Sequence, residues 1–540
     1  MSLLKTRLLL LPITVILLSC HGAATTPNSA PECGTVPYPS NTGTVTPNPI
    51  TDSPQVWSFV SAPDLHPMKV TINTYEPGAS PDLIFIDPFT DSSNTTYGQP
   101  GALILDNNGN PHWFRPLSSP NLMNNDFRVQ QLNGQPVLTF WQGTIASAPT
   151  YTNRPMGSSE PGSCYYILDN RYRVVKTVSA RNGFTSDIHE FLITPKNTAL
   201  FLSTNVVPMD LTPFGGPQNG SINDFAIQEV DLNTNELVFF WKASEHIPLA
   251  DSNQPAATAS ASNNIWDAYH LNSIGLTDSA DDILVSSRNT WTIYRINKPT
   301  GNIVWRLGGA ESDFTIENGA QFSWQHDARM LSADIISLFN DNCCGGTTMI
   351  PPGTPPSHGL LLKLDLSQMT ASVHSEYYHS PNLIVATRGS TQTLPNGNVF
   401  VGWGQSAYYG EYAAGGNSES NPAWNTLYDA QMPGTNYTYR AYRNHWTATP
   451  YYPPSIAVQA DSSTAATTRV YASWNGATEV DAWQVFAGAT AAALSLIKEA
   501  SKTGFETAIP VTSRRPYFQV KALNSGQQII GVSNVVRLSE

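Results

Sequence analysis

The sequence predicts an all-β protein, built as a six-bladed β-propeller followed by a small C-terminal β-sandwich. Two observations support this prediction. A strand–turn–strand unit recurs six times at a nearly constant interval, and the repeat stops just before Pro454, after which short alternating strands follow. The sequence shows no heptads and no long amphipathic helices that would indicate an α-helical domain.

In each repeat an apolar strand ends in Asp or Asn, a short turn follows, and a second apolar or aromatic strand begins. Asp and Asn suit such turns because they tolerate positive φ and hydrogen-bond the backbone ahead of them. Further strand-like runs such as PVLTFWQ and DILVSSRN precede the hairpins, so each unit holds the four strands of a propeller blade. The six turn residues, 62 to 68 positions apart, are Asp106, Asp169, Asp231, Asn297, Asp365 and Asp429.

The C-terminal strands IAVQA, RVYASWNG, DAWQVFAG, PYFQVKAL and IIGVSNVVRL resemble a fibronectin type III-like sandwich, with Trp474 as its expected core tryptophan. No chemistry-bearing motif appears in them, so we interpret this part as a structural cap or spacer. The predicted boundaries are 1–22 for a signal peptide, 23–55 for an N-terminal extension, 56–450 for the propeller and 454–540 for the sandwich.

The composition argues against partners that carry many negative charges. Of the 540 residues 40% are hydrophobic and 13% are charged, and the formal net charge is −13. The apolar content suffices for a buried core, and the length predicts more than one domain. Because an acidic surface repels polyanions, we expect no nucleic-acid partner, although a single pocket can still be basic.

The N-terminus predicts an exported protein. Lys5 and Arg7 precede the apolar stretch LLLLPITVILL, and small residues follow it. This pattern is typical of a signal peptide and is too short for a good membrane span. We therefore expect a secreted, extracellular protein without stable membrane insertion. Cys20 after Leu-Leu-Ser also fits a bacterial lipoprotein box, so a lipid anchor is the alternative.

Cysteines and glycosylation triplets fit an oxidising compartment. Cysteines of exported proteins usually form disulfides, and we expect this of Cys33, Cys164, Cys343 and Cys344. The adjacent pair Cys343 and Cys344 could instead ligate a metal. The acceptor triplets for N-linked glycans begin at Asn94, Asn219 and Asn436.

Three histidines at equivalent places in successive units predict one shared pocket. His189, His270 and His326 stand in DIHEF, AYHLNS and WQHDAR, each at the head of a predicted strand. These heads meet at the centre if the units close into a ring. Asn272 follows His270 by two positions, which places both on one face of an extended strand. Arg288 ends the next strand and can return to that face.

This set of side chains suits a tetrahedral oxyanion such as sulfate or phosphate. A guanidinium offers paired hydrogen bonds at the right separation for such an anion. A neutral imidazole beside it can attack the central atom or transfer a proton. We therefore predict a catalytic site without a metal ion and without a cofactor.

Four blocks occur along this chain in the order HEF, AYHLNS to SSRN, WRLGG and FSWQHDARM. Together they resemble the arylsulfate sulfotransferase family, most closely its secreted fungal branch. The resemblance covers roughly residues 75–450. It implies a six-bladed propeller that moves a sulfuryl group from a small phenolic sulfate donor to a phenolic acceptor, without a nucleotide sulfate donor. The extra N-terminal sandwich domain of the bacterial members is not recognisable in this chain.

The resemblance also implies roles for single residues. In the bacterial members a histidine is transiently sulfated, and the matching position is His326. His189, His270, Asn272 and Arg288 match the positions that bind the sulfate and assist proton transfer.

Several residues near these blocks have structural interpretations. Arg288 could form an ion pair with Asp267 or Asp327, and Asp327 with Arg329 could orient the backbone beside the third histidine. Thr391 opens the sixth unit in STQTLPNG, and repeat equivalence predicts that it points to the same centre and contacts the substrate.

Two other classes of function remain open at the level of sequence. Histidines at a propeller axis can bind iron, copper or zinc, which would make the protein a metal-dependent oxygenase, lyase or hydrolase. Against this, a cationic Arg288 would repel a metal ion, and only Glu190 and Asp327 offered carboxylates near a strand head. The second class is a non-catalytic secreted propeller that binds glycans or a protein, in which the histidines would not converge.

Overall fold

The computed structural model describes residues 33, 49–50, 52–90, 96–119, 122–145, 159, 161–344, 353–460 and 467–538. The predicted signal peptide, most of the 23–55 extension and Asn94 lie outside the described residues. The regular secondary structure of the described residues is nearly all β, as the sequence predicted. Its helices are short 3-10 turns at Thr212–Phe214, Ala243–Glu245, Leu249–Asp251 and Ala256–Ala261.

Six sheets of four or five strands, here numbered 1 to 6, occupy the predicted repeat region. Sheet 1 contains, from its inner to its outer edge, Tyr442–Asn444, Leu83–Ile86, Gly101–Leu105 and Pro111–Pro116. Sheet 2 contains Met123–Leu132, Gln135–Gly143, Cys164–Leu168 and Val174–Val178. Sheet 3 contains Thr185–Ile193, Thr198–Met209, Gly220–Asp231 and Leu237–Lys242, with Ile265–Trp266 parallel to the third of these.

The remaining three sheets follow the same plan. Sheet 4 contains Leu271–Leu276, Asp282–Ser287, Thr292–Asn297 and Ile303–Gly308. Sheet 5 contains His326–Ser332, Ile335–Asn340, His358–Asp365, Thr370–Tyr377 and Thr315–Ile316. Sheet 6 contains Ser390–Thr393, Val399–Gly402, Tyr408–Tyr412, Thr426–Gln431 and Thr71–Tyr75. A separate parallel pair joins Pro49–Ile50 to Thr96–Tyr97.

The innermost strands of the six sheets contact one another in cyclic order. Each touches the innermost strand of the next sheet, and that of sheet 6 touches that of sheet 1. Distant parts of the chain close the cycle: Tyr442–Asn444 completes sheet 1, and Thr71–Tyr75 completes sheet 6. The heads of the innermost strands are therefore brought together, and the chain ends are held in the sheets that they complete.

A hydrophobic cluster lies between each pair of neighbouring sheets. Leu103 and Phe400 belong to the cluster between sheets 1 and 6, for example, and Leu284 and Leu338 to the one between sheets 4 and 5. All six neighbouring pairs, including the closing pair, share such a cluster in the described residues. Burial of these apolar faces is the main favourable term that holds the sheets side by side.

The predicted hairpin turns are present in sheets 1 to 5. In each, the turn residue accepts a hydrogen bond from a main-chain N–H two to four positions ahead, as an Asx turn requires. These residues are Asp106, Asp169, Asp231, Asn297 and Asp365.

The sixth predicted turn is wrong. Asp429 lies inside the strand Thr426–Gln431, where its carboxylate accepts a hydrogen bond from Asn73. No outer hairpin is needed at this position, because Thr71–Tyr75 from the N-terminal side supplies the outermost strand of sheet 6. The pattern YDAQMPGTNYTYRAY imitates the repeat without forming the turn.

Two sheets that share one hydrophobic cluster form the C-terminal part. One contains Ser455–Ala460, Thr468–Ser473 and Glu506–Val511. The other contains Leu494–Ser501, Ala482–Gly488, Tyr517–Leu523 and Ile529–Val532, with Val536–Arg537 on its third strand. Trp474 lies in their shared core as expected, together with Trp483.

Covalent links and candidate modification sites are placed as follows. Cys33 and Cys164 form a disulfide, and the sulfur atoms of the adjacent Cys343 and Cys344 face each other. Asn219 is exposed. Asn436 is fully buried, so its triplet cannot carry a glycan in the folded protein. None of the helices in the described residues is long and apolar enough to cross a membrane.

Candidate active site

The predicted histidines lie in or next to three consecutive innermost strands, and only His189 is not at a strand head as predicted. His189 is inside Thr185–Ile193, His270 immediately precedes Leu271–Leu276, and His326 is the first residue of His326–Ser332. The ring centroids of His189 and His270 are 4.8 Å apart in an edge-on arrangement. The cyclic order of the sheets thus brings together residues far apart in the sequence.

Each of the three imidazoles is held by its own aspartate through Nδ1. His189 pairs with Asp187 at 2.5 Å. His326 pairs with Asp341 at 2.7 Å, and His270 pairs with Asp267. A carboxylate that accepts from Nδ1–H leaves the lone pair on Nε2, which is the nitrogen available for nucleophilic or base chemistry.

The sequence interpretation missed these aspartates. It considered Glu190 and Asp327 as the only carboxylates near a strand head, and both instead bind arginines. Asp187 and Asp267 precede their histidines by two and three positions, a local signal that was there to find. Asp341 follows the neighbouring strand Ile335–Asn340, and only the antiparallel pairing of that strand with His326–Ser332 reveals it.

His326 is almost fully buried and neutral. Its exposed fraction is 1%. Burial lowers the pKa of His326 well below its ordinary value, and the positive charge of Arg288 lowers it further. Nε2 of His326 accepts a hydrogen bond from the main-chain N–H of Arg388 at 3.2 Å. That contact requires the tautomer with the proton on Nδ1.

His270 has a left-handed backbone conformation, with φ of +50°. The extended geometry on which the sequence interpretation put His270 and Asn272 on one face is therefore absent at this residue. Positive φ is strained for a residue other than glycine and is often found at functional sites. Loss of solvent around the ring lowers the pKa of His270, and its partner Asp267 opposes that shift.

Asn272 is completely buried beside the third histidine. Its amide nitrogen donates to the carbonyl of Gln325 at 2.7 Å, one residue before His326. Its amide oxygen has no hydrogen-bond partner in the described residues. Buried amide oxygens are normally paired, so Asn272 can still accept one hydrogen bond at this site.

Arg288 is buried but is not neutralised by a carboxylate. Its guanidinium donates to Asn289 at 2.9 Å and to the carbonyl of Ala386 at 3.3 Å, and it lies 4.9 Å from the ring centre of Trp324. No carboxylate of the described chain comes within ion-pair distance of it, so the expected alternatives Asp267 and Asp327 do not pair with it. Its Nε atom is buried without a partner. Arg288 is thus a cation with unused hydrogen-bonding capacity beside a neutral histidine.

Thr391 is not brought into this group. Its main-chain N–H donates to Asp327 at 3.1 Å. Its side chain faces Gly359 on the third strand of sheet 5, where a Cβ on the glycine would lie 3.1 Å from the hydroxyl. The side chain therefore lies between sheets 5 and 6, and substrate contact by Thr391 stays a prediction that this geometry does not favour.

A buried ionic network links the innermost strands next to the histidines. Glu190 accepts from Arg128 of sheet 2, from Arg329 of sheet 5 and from Arg440, which lies just before the innermost strand of sheet 1. Burial alone would raise the pKa of Glu190, but the three guanidinium groups hold it far below its ordinary value. Asp327 binds Arg329 at 2.6 Å. Its carboxylate thus has the structural role that the sequence suggested.

Aromatic side chains stand beside Arg288. Trp291 and Trp324 pack edge to face with ring centroids 5.3 Å apart. Both have positive φ, of +53° and +56°. The indole nitrogen of Trp291 is buried without a partner. These rings offer an apolar wall to a planar ligand at the cationic side of the site.

The geometry of the described side chains does not suit a metal site. In the described part of the chain, no group of three or more His, Cys, Asp or Glu side chains has a geometry able to hold a metal ion. The arrangement combines one buried unpaired guanidinium, three imidazoles with free or exchangeable Nε2 atoms and one free amide oxygen. Such a set can bind an oxyanion, supply a nitrogen nucleophile and transfer a proton.

Several solved structures are distantly similar to this chain. A protein of unknown function from Bacteroides caccae is 12% identical, with 67% of this chain and 98% of that chain covered and a TM-score of 0.36. A putative 6-phosphogluconolactonase from Bacteroides fragilis is 9% identical, with 68% and 98% covered and a TM-score of 0.33. A periplasmic gluconolactonase from Pseudomonas aeruginosa is 11% identical, with 73% and 95% covered and a TM-score of 0.25. TM-scores this low do not indicate a shared function.

The sequence itself matches a family. No curated protein matches the chain. The family model for arylsulfotransferase (ASST) matches residues 128–421, which is more than half of the chain and includes the three histidines, Asn272 and Arg288. The chain therefore belongs to the arylsulfotransferase family.

Proposed function

We propose that the protein transfers a sulfuryl group from a small aryl sulfate to a phenol, through a sulfohistidine intermediate on His326. The observation that carries this proposal is the environment of His326, a buried neutral imidazole whose Nδ1 is held by Asp341 and whose Nε2 carries the lone pair. Family membership supports the class of reaction. The site contacts support the assignment of residues.

In the first half-reaction Nε2 of His326 attacks the sulfur atom of the donor. The bond between sulfur and the aryl oxygen breaks, and the phenolate leaves with that electron pair. A phenolate leaves more readily than an alkoxide because its charge is delocalised. Arg288 and the second N–H of the Asn272 amide donate to the sulfuryl oxygens, and the imidazolium form of His189 or His270 passes its Nε2 proton to the leaving oxygen.

Asp341 assists this step by stabilising charge. As Nε2 bonds to sulfur the ring becomes cationic, and the carboxylate opposite Nδ1 compensates that charge without moving. The pairs Asp187–His189 and Asp267–His270 orient the other two rings in the same way, so that their Nε2 atoms face the reacting group.

In the second half-reaction the acceptor phenol enters the same pocket. It loses its proton to the histidine that served the leaving group, its oxygen attacks sulfur, and the bond between sulfur and Nε2 breaks. One site serves both halves, so the kinetics should be ping-pong.

The finer architecture belongs to the same proposal. The cyclic contacts and the six inter-sheet clusters support a six-bladed propeller over about residues 56–450, with the site at one end of its axis. The two C-terminal sheets support a fibronectin type III-like sandwich over about 454–540. The predicted signal peptide and the Cys33–Cys164 disulfide support secretion. Membership of the secreted fungal branch is supported by the four sequence blocks that include His189, His270, Arg288 and His326.

The test is incubation of the purified protein with a chromogenic aryl sulfate such as 4-nitrophenyl sulfate, with and without a phenol. We expect release of nitrophenolate that depends on the phenol, and sulfation of that phenol by mass spectrometry. Release without transfer to any phenol would indicate a sulfatase instead.

A further inference from the structure

The segment Ala386–Gly389 connects two residues of the site. Arg288 donates to the carbonyl of Ala386 at 3.3 Å, and the main-chain N–H of Arg388 donates to Nε2 of His326 at 3.2 Å. One short stretch of chain, just before the innermost strand of sheet 6, thus contacts both the cation and the nucleophile.

Neighbouring contacts hold the backbone conformation that directs the N–H of Arg388 toward Nε2 of His326. Arg388 has φ of +74°, an unfavourable conformation for a residue with a Cβ. The next amide, that of Gly389, donates to the carbonyl of Tyr439 at 3.2 Å. A Cβ on Gly389 would come within 2.4 Å of the Phe339 ring, so only glycine fits there. The surrounding chain therefore holds the amide in this position.

The side chain of Arg388 is a second cation without a carboxylate partner. Its guanidinium lies 4.7 Å from the ring centre of Tyr437 and 5.4 Å from that of Phe89, and it donates to Thr387 at 3.3 Å. No carboxylate of the described residues lies within ion-pair distance of it. Aromatic stacking orients a guanidinium while leaving its N–H groups available for an anion.

The positive charge of Arg388 acts on Asp341, the carboxylate that holds His326. Burial raises the pKa of Asp341, and the positive charges of Arg288 and Arg388 oppose that rise. Arg388 also lowers the pKa of Arg288, although burial is the larger cause of that shift. The two guanidinium groups are thus close enough to influence each other and the carboxylate that holds His326.

We propose that Arg388 is a further residue that binds the sulfuryl group at His326, through its main-chain N–H and its guanidinium. This inference rests on the proposed function, since it assigns a further binding residue to the same site. Once Nε2 is bonded to sulfur it can no longer accept a hydrogen bond. The N–H of Arg388, already aimed at that nitrogen, then donates to a sulfuryl oxygen, and the guanidinium adds a charge-assisted hydrogen bond.

Binding of inorganic sulfate to the full-length protein tests this inference without requiring turnover. Three variants, R388Q, R388G and R388K, are titrated with sodium sulfate by calorimetry at constant ionic strength. R388G is informative because glycine keeps the positive φ and the N–H while removing the guanidinium. We expect R388Q and R388G to weaken sulfate binding by about 10- to 100-fold, the value of one hydrogen bond to a charged group. R388K keeps the positive charge but lacks the paired N–H groups of the guanidinium, so its sulfate affinity should lie between that of these two variants and that of the wild type.

R306Q is the matched control, since Arg306 lies on the outermost strand of sheet 4 and pairs only loosely with Asp313, at 3.9 Å. Its sulfate affinity should equal that of the wild type. Sulfate affinity unchanged in both R388Q and R388G would overturn the inference, even if the wild type transfers sulfuryl groups. A loss confined to the Arg388 variants would support it, even if no aryl sulfate were turned over and the proposed function failed. If the folded wild type does not bind sulfate at all, the anion site itself is refuted.

Discussion

Nδ1 of His326 lies 2.7 Å from a carboxylate oxygen of Asp341, the residue that follows the adjacent strand Ile335–Asn340. Both groups are buried. Since the opposite nitrogen of the ring accepts an N–H, the shared proton belongs to Nδ1, and Nε2 is the reactive nitrogen. The antiparallel pairing of the two strands sets this relationship, which defines the direction of attack.

Replacement of His326 by Asn should abolish transfer. The amide has no comparable nucleophile, while its size keeps the local packing. Trapping of the wild type with donor in the absence of acceptor should give an adduct of about 80 Da, the mass of SO₃, on the peptide that carries His326. An adduct on another residue would reassign the nucleophile while leaving the transfer reaction intact.

Replacement of Asp341 by Asn should lower kcat by about 10² to 10⁴, because the amide no longer fixes the Nδ1–H tautomer or compensates the cationic ring. Stopped-flow measurement of the first half-reaction isolates this step. Asp281→Asn, in an exposed turn of sheet 4, is the control and should leave the rate unchanged. An Asp341 variant with wild-type rate would show that the carboxylate only supports the fold.

Acid should slow the first half-reaction only below the ordinary pKa of histidine, 6.5. The neutral ring of His326 is the nucleophile, and burial together with nearby cations lowers its pKa, so more acid is needed to protonate it than a free imidazole requires. With 4-nitrophenyl sulfate, whose phenolate leaves without being protonated, single-turnover rates should therefore stay level from about pH 8 to pH 6.5 and decline below that. An acid midpoint above 6.5 would contradict a buried neutral nucleophile.

Replacement of Glu190 by Gln should destabilise the fold by about 3 to 5 kcal/mol, the typical effect of breaking a buried ion pair. The guanidinium groups of Arg128, Arg329 and Arg440 would then face too little negative charge. Urea denaturation measures the loss, and Glu236→Gln, at an exposed turn, should change stability little. A Glu190 variant of wild-type stability would mean that Asp327 and Asp126, which pairs with Arg128 and Arg440, alone compensate the network.

Chelation should leave activity unchanged. Arg288 places an unpaired positive charge beside the histidines, which disfavours a cation there. Elemental analysis of protein purified without chelator should find no stoichiometric zinc, copper or iron. Histidines held by carboxylates are also typical of metal ligands, so a bound metal whose removal stops the reaction would favour the metal-dependent alternative.

Local patterns accounted for much of the fold. The turns at Asp106, Asp169, Asp231, Asn297 and Asp365 were predictable because the Asx turn is a local device. The error at Asp429 arose because the strand that completes sheet 6 comes from residues 71–75, more than 350 positions away. A local sequence pattern cannot identify a partner strand that lies so far away in the chain.

The candidate site likewise combines features that were predictable from the sequence with features that were not. The residue types and spacing of His189, His270, His326 and Arg288 indicated oxyanion chemistry from the sequence. Asp341 and Arg388 were not predictable, because each reaches His326 from a separate segment, and the N–H of Arg388 has no side-chain signature at all. Thr391 was assigned to the centre by repeat equivalence, yet its side chain lies between sheets 5 and 6.

The sequence by itself determined the all-β class, the period of the repeat, the family and the chemical types gathered at the site, since these depend on residue identity and short-range spacing. The tertiary structure alone decided which strands close the cycle, which carboxylate holds each imidazole and which nitrogen of His326 is reactive. Those relationships depend on burial and on hydrogen bonds between segments distant in the chain, and both arise only when the sheets pack against one another.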